Sequence, residues 1–257
     1  LIRKLICEAE RRGADEKHPL FQGEDWVHQC QIWKQKYPVV TAKHYETIEE
    51  SCTNIYAFYE ELSKAMHEGE TLMVSVGTSR VAGSQAFQVK KGQRFITNPN
   101  TASMGFCLPA VTGICVAHPG ESVVCVTGEG SLQMNIQEFA TAMCQETNII
   151  VCVLNNYYLG MVRQIQQLFY GKRYEATCLK RRKACPPRCK GPGEDCPPYE
   201  PDFVKLAESY GAFGKRIEKE EEILPALQWA REQQTPVVLE FMIATEEIVL
   251  PMVKSGN

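Results

Sequence analysis

From Thr71 onward the chain alternates short apolar runs with longer segments whose apolar residues recur every three or four positions. The runs "TLMVSVG" (71–77), "RFIT" (94–97), "SVVCVTG" (122–128), "NIIVCVLNN" (148–156), "AFGKRI" (212–217) and "PVVLEFMI" (236–243) read as strands. Between them, "MGFCLPAVTGICVAH" (104–118), 131–145, 159–170, "DFVKLAESYG" (202–211) and "EEEILPALQWAREQ" (220–233) read as helices. In 131–145, Leu132, Ile136, Phe139, Ala140 and Met143 share one face. The stretch "SVGTSRVAGSQAF" (75–87) reads as a loop. Apolar strands alternating with helices predict an α/β fold: a mostly parallel sheet with helices on both faces, in three layers α/β/α.

Upstream the rhythm differs. Residues 1–40 read as an amphipathic helix, a polar loop and a second helix, "DWVHQCQIWKQKYPVV", stopped by Pro38. Residues 45–67 predict one long helix with Ile48, Cys52, Ile55, Phe58, Leu62 and Met66 on one face. The chain shows no internal repeat. The expected division is a short leading piece, 1–40, and one domain, 41–257, carrying a Cys-rich insert over 176–200.

Composition narrows the partners. The 257 residues are 44% hydrophobic and carry a formal net charge of -3, which does not favour nucleic acid. No apolar run approaches the roughly 20 residues needed to span a bilayer. The opening "LIRKLICEAERRG" lacks the apolar core of a signal peptide, and it begins with Leu, so the sequence is expected to start inside a longer chain. Of the twelve cysteines, Cys107, Cys115, Cys125, Cys144 and Cys152 lie within apolar runs, where a reduced cysteine acts as a small core residue. A reducing, cytoplasmic setting is the expectation.

The candidate chemistry sits at predicted strand ends, where ligands collect in parallel sheets. "TGEGSLQMN" (127–135) places Glu129 between two glycines after an apolar strand. Alone, Gly-Glu-Gly favours a tight strand-to-helix turn with Glu129 solvated. Asn155-Asn156 at the next strand end favours a shared site: a carboxylate and a carboxamide oxygen suit Mg²⁺, and the free N–H groups of Gly130 and Ser131 suit a phosphate.

These residues carry a resemblance. "GEGSLQMNIQEFATA" and "VLNNYYLGMVRQIQQLFYGKRY" resemble the thiamine-diphosphate motif of the acetohydroxyacid (acetolactate) synthase catalytic subunit. "NTASMGFCLPAVTG", "PDFVKLAESYGAFG" and "VLPMV" extend the likeness over about 71–253. The resemblance implies the thiamine-diphosphate-binding fold and a thiamine-diphosphate- and Mg²⁺-dependent condensation of pyruvate with a second 2-keto acid, in branched-chain amino-acid synthesis. It assigns Glu129, Asn156 and the backbone carbonyl of Tyr158 to the metal. Gly128, Gly130 and Ser131 go to the diphosphate, with Gly77, Thr78 and Ser79 approaching from another loop. Met104 is the residue that bends the cofactor, the backbone of Ala102 and Met104 contacts its pyrimidine, and Met161 lines the substrate pocket. Small 2-keto acids, a homodimer or homotetramer and a small regulatory subunit are the implied partners. The pyrimidine-binding domain with its activating glutamate, and any FAD, would lie outside these residues, with 1–40 a remnant of the family's middle domain and linker.

Three positions depart from the family pattern: Glu129 stands for an aspartate, Ile165 for a tryptophan, and 75–87 for a different loop sequence. They leave room for another thiamine-diphosphate-dependent 2-keto-acid decarboxylase or carboligase, or for a non-catalytic subunit of the same fold. Separately, Cys178, Cys185, Cys189 and Cys196 in the insert could hold Zn²⁺ or an iron–sulfur cluster, or be reduced thiols or two disulfides in an exposed loop. "KRRK" (180–183) reads as a solvated face.

Overall fold

Six strands form one sheet in which every pairing among the described residues is parallel. They are β1 (Thr71–Val74), β2 (Arg94–Thr97), β3 (Val123–Gly128), β4 (Ile150–Asn155), β5 (Phe213–Ile217) and β6 (Val237–Met242), in the spatial order β2-β1-β3-β4-β6-β5. The computed structural model describes residues 2–13, 24–46, 51–180, 183, 185–186, 196, 201–245 and 247–251. It divides into two units, 1–39 and 40–257. The first contains α1 (Ile2–Arg11) and α2 (Glu24–Lys36), with Trp26 and Trp33 of α2 meeting edge to face at 5.5 Å.

The second unit holds the sheet and its helices: α3 (Ile55–Ala65), α4 (Thr78–Ala86), α5 (Cys107–Ala117), α6 (Glu129–Leu132), α7 (Glu138–Cys144), α8 (Gly160–Phe169), α9 (Phe203–Ser209) and α10 (Ile223–Glu232). Strand residues alternate between two cores. Leu72, Val74, Val124, Val126, Leu239 and Phe241 pack under α3, α4 and α10. Met73, Val123, Cys125, Val151, Val153 and Val238 pack under α5, α7 and α9. Because both faces are covered, the central strands read as nearly continuous apolar runs, interrupted in β6 by Glu240. Edge strands β2 and β5 are partly exposed, matching their more polar sequences. The three-layer α/β/α expectation holds. Pro109 and Pro225 interrupt neither α5 nor α10, since each lies in a first turn whose N–H groups need no intrahelical acceptor.

Four local expectations are corrected. Among the described residues, the helix expected over 45–67 covers only Ile55–Ala65. Ser51 is left-handed (φ 64°) and Asn54 is the N-cap, its side chain accepting from the N–H groups of Tyr56 and Ala57. Ile48 lies outside the described residues. The continuous helix expected over 131–145 is two, α6 and α7. The intervening turn tightens through Met134 N–H to Ser131 and Asn135 N–H to Leu132, and Asn135 Nδ2 donates to the Gly105 carbonyl at 3.0 Å. That break rotates the second half, so Ala142 is buried and Ala140 exposed. Residues 78–86, read as loop, are helix α4. Their small, polar composition gives little periodic signal, and packing of Ala82 and Ala86 on the sheet supplies what propensity does not. Cys107, Cys125 and Cys152 are core residues and Cys115 is half-buried, but Cys144, at the end of α7, is exposed.

At the amino-terminal edge of the sheet, Arg231 of α10 grips Glu70 with two bonds, 2.5 Å to Oε1 and 2.8 Å to Oε2. Glu70 Oε2 also accepts the His67 N–H at 2.6 Å. This pair ties α10 to the start of β1.

Candidate active site

The position of the site follows from topology. The chain leaves β1 through α4 on one face of the sheet, and leaves β3 through α6 and α7 on the other. The loops after β1 and β3 therefore diverge, and a crevice opens between their carboxyl ends. There the structure has a cavity of about 380 Å³.

All twelve residues expected at the cofactor site line this cavity: Gly77, Thr78, Ser79, Ala102, Met104, Gly128, Glu129, Gly130, Ser131, Asn156, Tyr158 and Met161. They arrive on four separate loops, after β1, β2, β3 and β4. Ile55, Leu154, Leu159, Val162 and Ile243 complete a largely apolar wall. Gly77 caps α4 with φ 77° and ψ -146°, a backbone region that only glycine enters freely, and so aims the first N–H groups of α4 at the cavity. The first-turn N–H groups of Gly130 and Ser131 likewise have no intrahelical acceptor.

Glu129 is the first residue of α6 and is buried. Burial pushes its carboxyl up to about 8, against the facing N–H groups of Glu129, Tyr158 and Asn156, which favour the carboxylate; the charge of Glu240 adds to the rise. Its Oε1 has no hydrogen-bond partner among the described residues. A buried, unsatisfied carboxyl oxygen is costly without a ligand. A cation beside it would remove that cost, and the donor set is hard oxygen throughout. The residues present thus fit Mg²⁺.

The turn after β4 presents the other oxygens. Asn156 Oδ1 accepts the Tyr158 N–H at 3.0 Å. Tyr158 pairs antiparallel with Cys178, flanked by Leu159 N–H to Thr177 and Leu179 N–H to Tyr157. The start of the Cys-rich insert therefore braces this turn. The side chain of Tyr158 is held by Arg163, whose guanidinium lies 4.4 Å from its ring and 3.8 Å from that of Tyr174. Gln164 donates to the Val249 carbonyl (2.8 Å) and accepts the Val249 N–H (2.9 Å), which brings 247–251 against α8.

Sequence reasoning missed several supports. Ser131 was expected to offer its N–H; its hydroxyl also accepts the Gly105 N–H at 2.8 Å and pairs with Ser75 Oγ at 2.8 Å, joining three of the loops. Arg163 and Gln164 are both buried, and their only sequence signal was polarity within a helix that the family motif spans. Lys180, assigned to a solvated face, sits over the Tyr157 ring at 4.2 Å. Cys178, Cys185 and Cys196 are half-buried, and Cys189 lies outside the described residues. Among the described residues no three His, Cys, Asp or Glu side chains gather to hold a metal. No helix among them is long and apolar enough to cross a membrane.

Gly160 permits the closest approach in the site. A Cβ there would fall 2.7 Å from Asn156 Nδ2 and 2.9 Å from Thr78 Oγ1. Gly160→Ala should therefore displace Asn156 and weaken Mg²⁺-dependent cofactor binding about tenfold, with the melting temperature little changed. Calorimetric titration of the variant against the parent checks this, and equal affinities would contradict it.

A crevice at the carboxyl ends of a parallel sheet, walled by a buried acid, an amide oxygen and the first N–H groups of two helices, has the donor set that a metal-bound diphosphate requires. The chain belongs to the thiamine pyrophosphate enzymes, matching the family of their C-terminal TPP-binding domain over residues 75–241. It is similar to an acetolactate synthase isozyme 3 large subunit of Escherichia coli K12, at 34% identity over 93% of this chain and 38% of that protein. It is also similar to an acetolactate synthase large subunit of Corynebacterium glutamicum, at 35% identity over 77% of this chain and 30% of that one. A third such subunit, from Cyanidium caldarium, is 29% identical over 100% of this chain and 40% of its own length. The chain thus spans at most 40% of these relatives. Among solved structures, a thiamine diphosphate-dependent 4-hydroxybenzoylformate decarboxylase of Rhodococcus jostii RHA1 shares the fold, with a TM-score of 0.65 at 18% identity over 79% of this chain and 34% of that one.

Proposed function

We propose that this chain is the diphosphate- and metal-holding part of an acetolactate-synthase-like enzyme, which decarboxylates a 2-keto acid and condenses the remaining fragment with a second one. The observation that carries this reading is the convergence of Glu129, with its unpartnered buried oxygen, and Asn156 on a crevice that also receives the starts of α4 and α6. When bound, thiamine diphosphate supplies a nucleophilic carbon and an electron sink for decarboxylation.

The chain's own residues hold and orient it. Glu129, Asn156 Oδ1 and the Tyr158 carbonyl would hold Mg²⁺. The N–H groups of Gly130 and Ser131, with those of Thr78 and Ser79, would take the diphosphate oxygens. Met104 and Ala102 would contact the remainder of the cofactor, and Met161 the substrate. The apolar wall lowers the local dielectric and so strengthens each polar contact beside it. In this reading the activating glutamate comes from outside these 257 residues, and assembly is as a homodimer or homotetramer with a small regulatory subunit.

The test is calorimetry and turnover on the 257-residue chain. It should bind thiamine diphosphate only with Mg²⁺ present, and release no CO₂ from pyruvate until a pyrimidine-binding domain is added. Absence of Mg²⁺-dependent binding would point instead to a non-catalytic subunit, and robust turnover by the chain alone would overturn the division of labour.

One observation supports a second reading, a decarboxylase or carboligase for a bulkier 2-keto acid. Ile165, with Val162, Gln166, Tyr170, Arg173 and Glu175, lines a further cavity of about 420 Å³ beside the first. Competition among 2-keto acids of increasing size separates the two readings.

A further inference from the structure

The turn that carries Asn156 and Tyr158 is held from within the sheet by a residue that none of the site motifs contains. Glu240 is an acid in the middle of β6, fully buried in a strand otherwise made of apolar residues. The register sets it between Val153 of β4 and Arg216 of β5. Its Oε2 accepts from Arg216 Nε at 2.9 Å, and its Oε1 accepts from Asn155 Nδ2 at 2.8 Å. With the amide nitrogen of Asn155 drawn to Glu240, the Asn155 Oδ1 faces the opposite way and accepts the Tyr157 N–H at 3.0 Å. Tyr157 has φ 63°, a left-handed conformation that a residue with a β-carbon adopts only when its surroundings compel it. On either side of it stand Asn156 and Tyr158, which line the same cavity as Glu129.

Glu240 is taken fully out of water while Arg216 is only partly buried, and an acid so placed often contributes no more to stability than an apolar residue of the same volume would, so the core does not explain the pair. Its geometry has another consequence. Glu240 selects the orientation of the Asn155 amide, and that orientation supplies the acceptor for the one N–H that must be satisfied at the left-handed residue.

We propose that Glu240 is a positioning residue: backed by Arg216 and acting through Asn155, it holds the left-handed turn at Tyr157 so that Asn156 Oδ1 and the Tyr158 carbonyl meet at the metal. The consequence for the metal rests on the reading of Glu129, Asn156 and Tyr158 given above; the hold on the turn does not.

The test uses the intact protein with three variants and two readouts. Glu240→Met keeps the volume and removes the acceptors. Glu240→Gln keeps one acceptor oxygen for Asn155. Asn155→Ser breaks the relay while leaving the Glu240–Arg216 pair intact, and serves if Glu240→Met fails to fold. The readouts are hydrogen exchange at the Tyr157 amide without metal, and Mn²⁺ affinity by electron paramagnetic resonance with thiamine diphosphate present. Glu240→Met and Asn155→Ser should speed Tyr157 exchange and weaken Mn²⁺ binding, each about tenfold, as loss of an outer partner of a metal ligand does. Glu240→Gln should restore both to within about threefold of the parent. Bound Mn²⁺ in the parent, with affinity and exchange unchanged in both disruptive variants, overturns the relay alone. A parent that binds no Mn²⁺ overturns the metal reading and the consequence drawn from it for the metal, while unchanged Tyr157 exchange in both disruptive variants overturns the hold on the turn.

Discussion

Glu129→Gln is expected to weaken Mg²⁺-dependent binding of thiamine diphosphate by at least about 100-fold, the upper end of what losing even an outer-shell partner costs. The substitution keeps the side chain's length and packing, but replaces the anionic ligand with a neutral one. It leaves the fold in place, since the Oε1 it alters makes no hydrogen bond to any described residue. Glu129→Asp tests geometry separately. Mg²⁺ demands near-ideal octahedral coordination at short distances, and the glutamate's extra methylene strains that arrangement. The aspartate variant should therefore bind Mg²⁺ more tightly than the parent. Parallel titrations of parent, Gln and Asp forms with thiamine diphosphate decide both points. Undiminished Mg²⁺ dependence in the Gln form would remove Glu129 from the metal site, and weaker binding in the Asp form would reverse the argument about its length.

Glu70→Gln should lower stability by about 3 kcal/mol, because it leaves the mostly buried Arg231 guanidinium without its anion. The pair lies at the amino-terminal edge of the sheet, so cofactor affinity should be unaffected. The cost should also depend on pH. Burial alone would raise the Glu70 carboxyl, but the bonds and charge of Arg231, the His67 N–H and Ser122 outweigh it and hold the group below the ordinary carboxylate range. A depressed carboxyl stabilises the fold fully above its unfolded value, near pH 4.3, and loses that contribution as pH falls through the folded value. The gap between parent and variant should be constant near neutrality and close in acid. Urea melts from pH 7 to pH 3.5 measure it; a gap that stays the same width at the acid end would mean that the pair carries none of it.

The fold was largely legible because a parallel sheet covered on both faces needs strands apolar at every position, and helices apolar at every third or fourth. β2, read as Arg94–Thr97, has those bounds in the structure. What local pattern could not show were the places where tertiary contacts override propensity. α4 forms from a sequence of small and polar residues because Gly77 turns the chain and the sheet offers a surface. The helix expected over 131–145 breaks because the Asn135 side chain reaches a carbonyl on another loop. Its partner, Gly105, is 30 residues away, and no window along the sequence contains both.

The site divides the same way. The residues lining the cavity were legible because strand ends carrying Gly-Glu-Gly and Asn-Asn are unusual, and because a family resemblance put Gly77, Met104 and Met161 beside them. The residues supporting that lining were not. Ser75, Arg163, Gln164, Arg216 and Glu240 act through partners that only strand order and register bring near. By itself the sequence determined which residues are apolar, where strands end and which side chains carry ligand chemistry, since these are properties of neighbours along the chain. Only the tertiary structure decided that Glu240, 85 residues from Asn155, fixes that side chain's amide. Hydrogen bonds inside a sheet depend on which strands are adjacent, and adjacency here is set by crossovers that leave no mark on local composition.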